Sequence, residues 1–139
     1  MSYLKKFLNS NYEELIEQSI WAIANIVGDG KDVVKEYMTG EIFDRVYQFF
    51  ISTNKKANSM LLINNVCKHK LDESLKPTAK KLAKFLSQFE SSISLIGPDS
   101  YEILLDICQT FCYLIEFNED ILEYIFENNL FENIFKTVR

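Results

Sequence analysis

A chain of 139 residues, 47% of them hydrophobic, can bury a sizeable core, which excludes an intrinsically disordered protein and makes a single domain the expectation. Fifteen basic residues against twenty acidic ones leave a net charge of −5, unsuited to tracking nucleic-acid phosphates and compatible with a basic ligand. No apolar run reaches the length of about eighteen residues that a membrane helix needs, and Lys5-Lys6 interrupts Met1–Ser10 where a secretory core would lie, so a soluble, intracellular protein with no membrane partner is expected.

Glycine and proline are scarce and apolar residues recur with a helical period almost throughout, so the fold class is all-α. A short helix over 2–9 gives way to Asn9-Ser10-Asn11, which offers a cap to a helix over 12–27. That helix should stop at Gly28 or Gly30, where a positive φ is wanted. A short amphipathic helix from Lys31 to Met38 and another from Glu41 to Ile51 follow, the second with Ile42, Phe43, Val46, Phe49 and Phe50 apolar. Ser52-Thr53-Asn54 caps a helix over 55–68. Pro77 opens a helix reaching Phe89, and Gly97-Pro98-Asp99-Ser100 is a loop before a helix over 100–116. Short helices over 119–127 and 129–138 complete the chain.

The stretch Glu17-Gln18-Ser19-Ile20-Trp21-Ala22-Ile23-Ala24-Asn25-Ile26-Val27-Gly28-Asp29 holds the sole tryptophan. Helical spacing puts Glu17, Trp21 and Asn25 on one line and Ile16, Ile20, Ile23 and Val27 on another, so one line can meet a ligand while the other packs. Trp21 and Asn25 suit an extended basic peptide, the ring taking an alkyl stem or a cation and the amide pairing with peptide backbone. A core tryptophan with an asparagine near the helix C-terminus satisfies the same spacing.

Segments repeat. Asp32-Val33-Val34 to Phe50 aligns without gaps on Asp120-Ile121-Leu122 to Val138, 88 residues later, with Val33, Val34, Ile42, Phe43 and Val46 on Ile121, Leu122, Leu130, Phe131 and Ile134. Gly40 falls on Asn128, a residue able to replace glycine at positive φ, and Asn25 falls on Asn65, 40 residues on. About three units of short helix, helix and long helix therefore fill the chain, approximately 1–28, 29–68, 69–116 and 117–139, incomplete at both ends. Units that cannot bury their own faces stack into a solenoid with the long helices lining a groove.

These residues resemble the armadillo repeats of the importin-α family. Glu17-Gln18-x-x-Trp21-Ala22-x-x-Asn25-Ile26-x-Gly28-Asp29 is similar to a signature of that family. Asn58-Ser59-Met60-Leu61-Leu62-Ile63-Asn64-Asn65-Val66-Cys67 resembles its Asn-Ala-Thr-Trp-Thr-Leu-Ser-Asn-Leu-Cys. Asp106-Ile107-Cys108-Gln109-Thr110-Phe111-Cys112-Tyr113-Leu114 resembles its Asp-x-Cys-Trp-Ala-x-Ser-Tyr-Leu. The resemblance covers nearly the whole chain and implies an armadillo-type right-handed superhelix that binds Lys/Arg-rich nuclear localisation signals, without a cofactor, in cytoplasm and nucleus. It assigns Trp21 to a slot for a lysine stem, Asn25 and Asn65 to peptide backbone, and Glu17, Asp29 and Asp106 to charge. Gly28, Asn58 and Tyr113 also match groove positions. Leu61 and Gln109 depart from the pattern, standing where the family has tryptophan, which weakens or narrows the groove by on the order of one to a few kcal/mol per site. The family's basic N-terminal segment, which recruits the transport carrier, has no counterpart. The chain is therefore either a piece of a longer protein or a small relative that covers its open ends by self-association. A second functional reading, an interaction scaffold that no longer reads localisation signals, rests on Leu61 and Gln109.

Other signals are weaker. Cys67, His69, Cys108 and Cys112 gather soft ligands, but all three cysteines lie in apolar helical stretches and read as free buried thiols, so no metal is expected. A single histidine, with no Gly-rich phosphate loop and no G-x-S-x-G, argues against an enzyme. The basic cluster Lys76-Pro77-Thr78-Ala79-Lys80-Lys81-Leu82-Ala83-Lys84 reads as a solvated helix face with Leu82, Phe85 and Leu86 inward. Phe117, Phe126, Phe131 and Phe135 read as core between repeats.

Overall fold

The computed structural model describes residues 2–37, 40–69, 76–87, 99–117, 119–130 and 132. Every element among them is an α-helix, and no strand occurs among the described residues. The chain divides into two compact units, Met1–His69 and Lys70–Arg139.

The first unit holds α1 (Ser2–Leu8), α2 (Glu13–Gly28), α3 (Lys31–Tyr37), α4 (Gly40–Ser52) and α5 (Ala57–Cys67). The pair α2 and α5 is its axis; α1 and α3 pack on α2, and α4 bridges α1 and α5. On α2 the line Ile16, Ile20, Ile23 and Val27 is buried, with Ala24 beside it. On α4 the buried residues are Ile42, Phe43, Val46, Phe49 and Phe50, and on α5 they include Met60, Leu62, Ile63, Val66 and Cys67. Each of the Val, Leu, Ile, Phe and Met side chains among them contributes about 1.5–3 kcal/mol by leaving water, which is what holds short helices that would not persist alone.

Helix ends differ from expectation at several points. Ser10 does not cap α2. The N-cap is Tyr12 without a side-chain bond, and Ser10 Oγ accepts the Tyr12 N–H at 3.0 Å. Glu13 and Glu14 in the first turn favour the helix dipole instead. At the other end α2 closes on Asp29 with right-handed backbone (φ −77°), and no described glycine has positive φ, so Gly28 is not a left-handed stop. The positive φ lies at Asn129 (φ 52°), one residue past Asn128. Thr53 does not cap α5, whose N-cap is Lys56; its hydroxyl donates to Glu13 Oε1 and accepts the Lys55 N–H at 3.1 Å. Arg45 on α4 donates through Nε to Leu8 O (3.0 Å) and through Nη2 to Ser10 O (3.2 Å), satisfying the last carbonyl of α1 and one in the link to α2.

The second unit holds α6 (Lys76–Ser87), α7 (Asp99–Phe117) and α8 (Glu119–Glu127), each packed on the other two. Its core takes Ala79, Leu82, Ala83 and Leu86 from α6, Ile107, Thr110, Phe111 and Leu114 from α7, and Ile121 and Ile125 from α8. Lys80 and Lys81 are exposed, as a solvated face requires, with the Lys80 ammonium 5.9 Å from the Tyr124 ring centroid. The expected Gly97-Pro98 loop lies outside the described residues, and Asp99 and Ser100 already belong to α7. Most of the expected helix over 129–138 lies outside the described residues as well.

Three expectations need correction. Cys67 is buried, but Cys108 and Cys112 are exposed, because α7 turns Ile107, Thr110, Phe111 and Leu114 inward and the cysteines fall on the other side. Phe126 is 65% exposed rather than core, whereas Phe131 and Phe135 lie outside the described residues, as does the Phe117 side chain. The 88-residue offset pairs Val34, 2% exposed, with Leu122, 36% exposed, so the aligned residues are not buried alike there.

Candidate functional site

The α2 line opposite the buried one runs Glu17, Trp21, Asn25, Asp29. Trp21 is 49% exposed, against 0% for its neighbour Ile20, so it lies on the solvent side of an amphipathic helix. Asn25 is exposed one turn further on, and its Nδ2 donates to Trp21 O at 3.0 Å. Asp29, also exposed, sits against the carbonyl end of α2, where a carboxylate costs about 0.3–1 kcal/mol. Stability does not explain an acid there.

Helix α5 lies alongside in a fixed register. Asn58 Nδ2 donates to Glu17 Oε1 at 3.4 Å, Asn65 Nδ2 to Ala24 O at 2.9 Å, and His69 Nε2 lies 3.1 Å from Val27 O. The partners are separated by 41, 41 and 42 residues, so α2 and α5 run parallel over their length. At Gly28 side chains of α5 and of the residue after it come close to α2. A Cβ added there would lie 3.2 Å from Asn65 Nδ2 and 3.6 Å from Lys68 Nζ, so glycine at this position makes room for the amide that ties the helices together. Leu61, half-buried, occupies the middle of the α5 line.

Glu17 already has company. Its Oε2 lies 3.1 Å from Lys55 Nζ, and Glu14 Oε1 is 4.0 Å from the same nitrogen. The Lys55 ammonium is held above the usual lysine range, first by its hydrogen bond to Glu17 and then by the charges of Glu17, Glu13 and Glu14 against some desolvation. Lys56 points the other way, donating to Phe50 O at 2.7 Å, and burial lowers its pKa. Neither lysine was singled out by sequence, because the Glu17–Lys55 pair joins separate helices and leaves no trace in local spacing.

Asp106 and Tyr113 belong to α7 of the second unit and are both half-buried, two turns apart. The Asp106 carbonyl accepts the buried Thr110 hydroxyl at 2.6 Å, and Gln109 is exposed. Glu17, Trp21, Asn25, Gly28, Asp29, Asn58 and Asn65 thus share the α2–α5 face of the first unit, while Asp106 and Tyr113 form a separate pair. Among the described residues no three His, Cys, Asp or Glu side chains gather as metal ligands, and no helix is long and apolar enough to cross a membrane.

These features define an all-α protein with a polar and aromatic face on parallel helices. In sequence the chain is similar to importin subunit alpha-1b of Oryza sativa subsp. japonica, 25% identical over 137 residues that cover 93% of this chain and 23% of that protein. The chain therefore spans under a quarter of the relative's length. No protein-family model matches the chain, and no solved structure matches it.

Proposed function

We propose that the chain is a piece of armadillo-type α-solenoid, a right-handed superhelix of about three repeats, that binds an extended Lys/Arg-rich peptide of the nuclear-localisation-signal kind. It does so as a nuclear-import adaptor or a part of one, in cytoplasm and nucleus, by equilibrium recognition without covalent chemistry. The observation that carries the reading is the placement of Trp21. A tryptophan 49% exposed on a helix whose opposite line is buried is a ready wall for an alkyl stem. The parallel register of α2 and α5, at 41 residues, supports equivalent helices of successive repeats.

On this reading the peptide runs across α2 and α5, with a lysine stem on Trp21 and its backbone on the Asn25 and Asn65 amides. Each amide has two N–H donors and a carbonyl acceptor, so one internal bond does not exhaust it. Glu17 and Asp29 supply charge at the ends of the line, and Asp106 and Tyr113 form a separate candidate pair on α7 of the second unit.

The scaffold reading draws on Leu61 and Gln109 in place of aromatic walls, and on exposed apolar side chains such as Tyr3, Phe7, Leu105 and Phe126 that a partner or a second copy would cover. Titration of a fluorescent Lys/Arg-rich peptide, with a scrambled peptide of equal charge as control and at two salt concentrations, separates the two. Saturable, order-dependent binding that weakens with salt and with Trp21→Ala supports the peptide groove. Absent or order-independent binding moves the function to the scaffold.

A further inference from the structure

We infer that Lys55 is a built-in competitor for the cation subsite beside Trp21, so that an incoming lysine or arginine must displace the chain's own ammonium from Glu17. The inference rests on the peptide-groove reading and adds to it a residue that sets the site's affinity. Glu17 stands one helical turn before Trp21, where a cation lying on the ring would find its carboxylate. Both carboxylate oxygens are engaged, Oε2 by Lys55 Nζ at 3.1 Å and Oε1 by Asn58 Nδ2 at 3.4 Å.

The lysine is presented rather than adventitious. Its backbone N–H donates to Thr53 Oγ1 at 3.1 Å, and the same hydroxyl donates to Glu13 in the first turn of α2. The Lys56 N–H donates to Asn54 O at 3.2 Å, and the Lys56 ammonium to Phe50 O at 2.7 Å. Residues 53–56 are thereby pinned to α2 and α4, which places the Lys55 ammonium among Glu13, Glu14 and Glu17 and lowers the entropy lost in pairing. Because the pair reaches the surface, with the Lys55 and Glu17 side chains 42% and 23% exposed, a peptide cation can exchange for the ammonium without opening the fold.

The test is a peptide titration of three proteins: the wild type, Lys55→Gln, and Lys6→Gln, which removes the same charge from an exposed position on α1. Lys55→Gln should bind the Lys/Arg-rich peptide about two- to fivefold more tightly, the scale of an exposed ion pair, with Lys6→Gln close to wild type. In a Glu17→Gln background the gain should vanish or shrink to the level of Lys6→Gln, since the carboxylate one turn before Trp21 is gone and only Glu13 and Glu14 remain near Lys55. Binding by the wild type with Lys55→Gln no tighter than Lys6→Gln overturns the inference and leaves the groove standing. No binding by any of the proteins overturns both.

Discussion

Trp21→Ala and Ile20→Ala are adjacent on α2 and should differ in a way that tests whether Trp21 belongs to the surface or the core. Truncating a buried tryptophan costs about 3–5 kcal/mol. With the Trp21 residue 49% exposed, roughly half that loss applies, about 1.5–2.5 kcal/mol. Ile20 is 0% exposed, and its truncation leaves a cavity between α2 and its neighbours, for a cost at the upper part of the range of about 2–5 kcal/mol. The assay is urea unfolding followed by far-ultraviolet circular dichroism, since the sole tryptophan is lost in one variant. At a slope of about 2 kcal/mol per molar urea, the midpoint should fall by about 1 M for Trp21→Ala and by about 2 M for Ile20→Ala. The chain has two compact units, so Ile20→Ala also marks which transition belongs to the first. Trp21→Ala as costly as Ile20→Ala, or costlier, would refute the surface assignment, and the peptide slot with it.

Other outcomes follow from single contacts. Asn65→Ala should cost about 1 kcal/mol through the lost bond to Ala24, and Gly28→Ala should destabilise the wild type yet stabilise Asn65→Ala by about 0.5–1 kcal/mol. A double-mutant cycle with additive effects would show that Gly28 is not there to admit the amide. Arg45→Ala should cost about 1–3 kcal/mol and reduce hydrogen-exchange protection of α1. Arg45→Lys should restore only part, because one ammonium cannot reproduce the fork to Leu8 and Ser10; complete rescue would count against that geometry. Iodoacetamide should modify Cys108 and Cys112 in the native protein and Cys67 only after unfolding. Partial burial, and then the neighbouring Cys112, hold the Cys108 thiol above its ordinary range, so its rate should keep climbing above the ordinary thiol pKa of about 8.5. A plateau at or below that pH contradicts it.

Much of the helical order was legible because apolar period and helix length are local properties. The helix Glu119–Glu127 stands as expected, and the buried line on α2 is the one that helical spacing selects. Helix ends were less legible because they depend on neighbours. Thr53 sits where a cap is expected, yet its hydroxyl is drawn to Glu13, and Asp29 closes α2 without any left-handed residue. The cysteines were misplaced by counting them as apolar wherever they fall. The phase of Ile107, Phe111 and Leu114 puts Cys108 and Cys112 on the other side of α7.

The candidate site divides the same way. Trp21 and Asn25 are neighbours on one helix, so spacing alone puts them together. Their junction with α5 through Asn65, Gly28 and Asn58, and the lysine lying on Glu17, are tertiary and visible only in the fold. Residue-by-residue similarity pointed to the asparagines as peptide ligands. The structure adds that each already makes one internal bond, to Trp21 O and to Ala24 O, which orients its remaining groups.

The most direct test of the central claim is a nitrogen-15 correlation spectrum of the chain titrated with a Lys/Arg-rich peptide. The account predicts saturable shifts of the Trp21 indole N–H and of the Asn25 and Asn65 side-chain amides, with the buried α4 backbone around Val46 unmoved. Shifts confined to residues away from α2 and α5, or no shifts at peptide concentrations far above those of the protein, would contradict it.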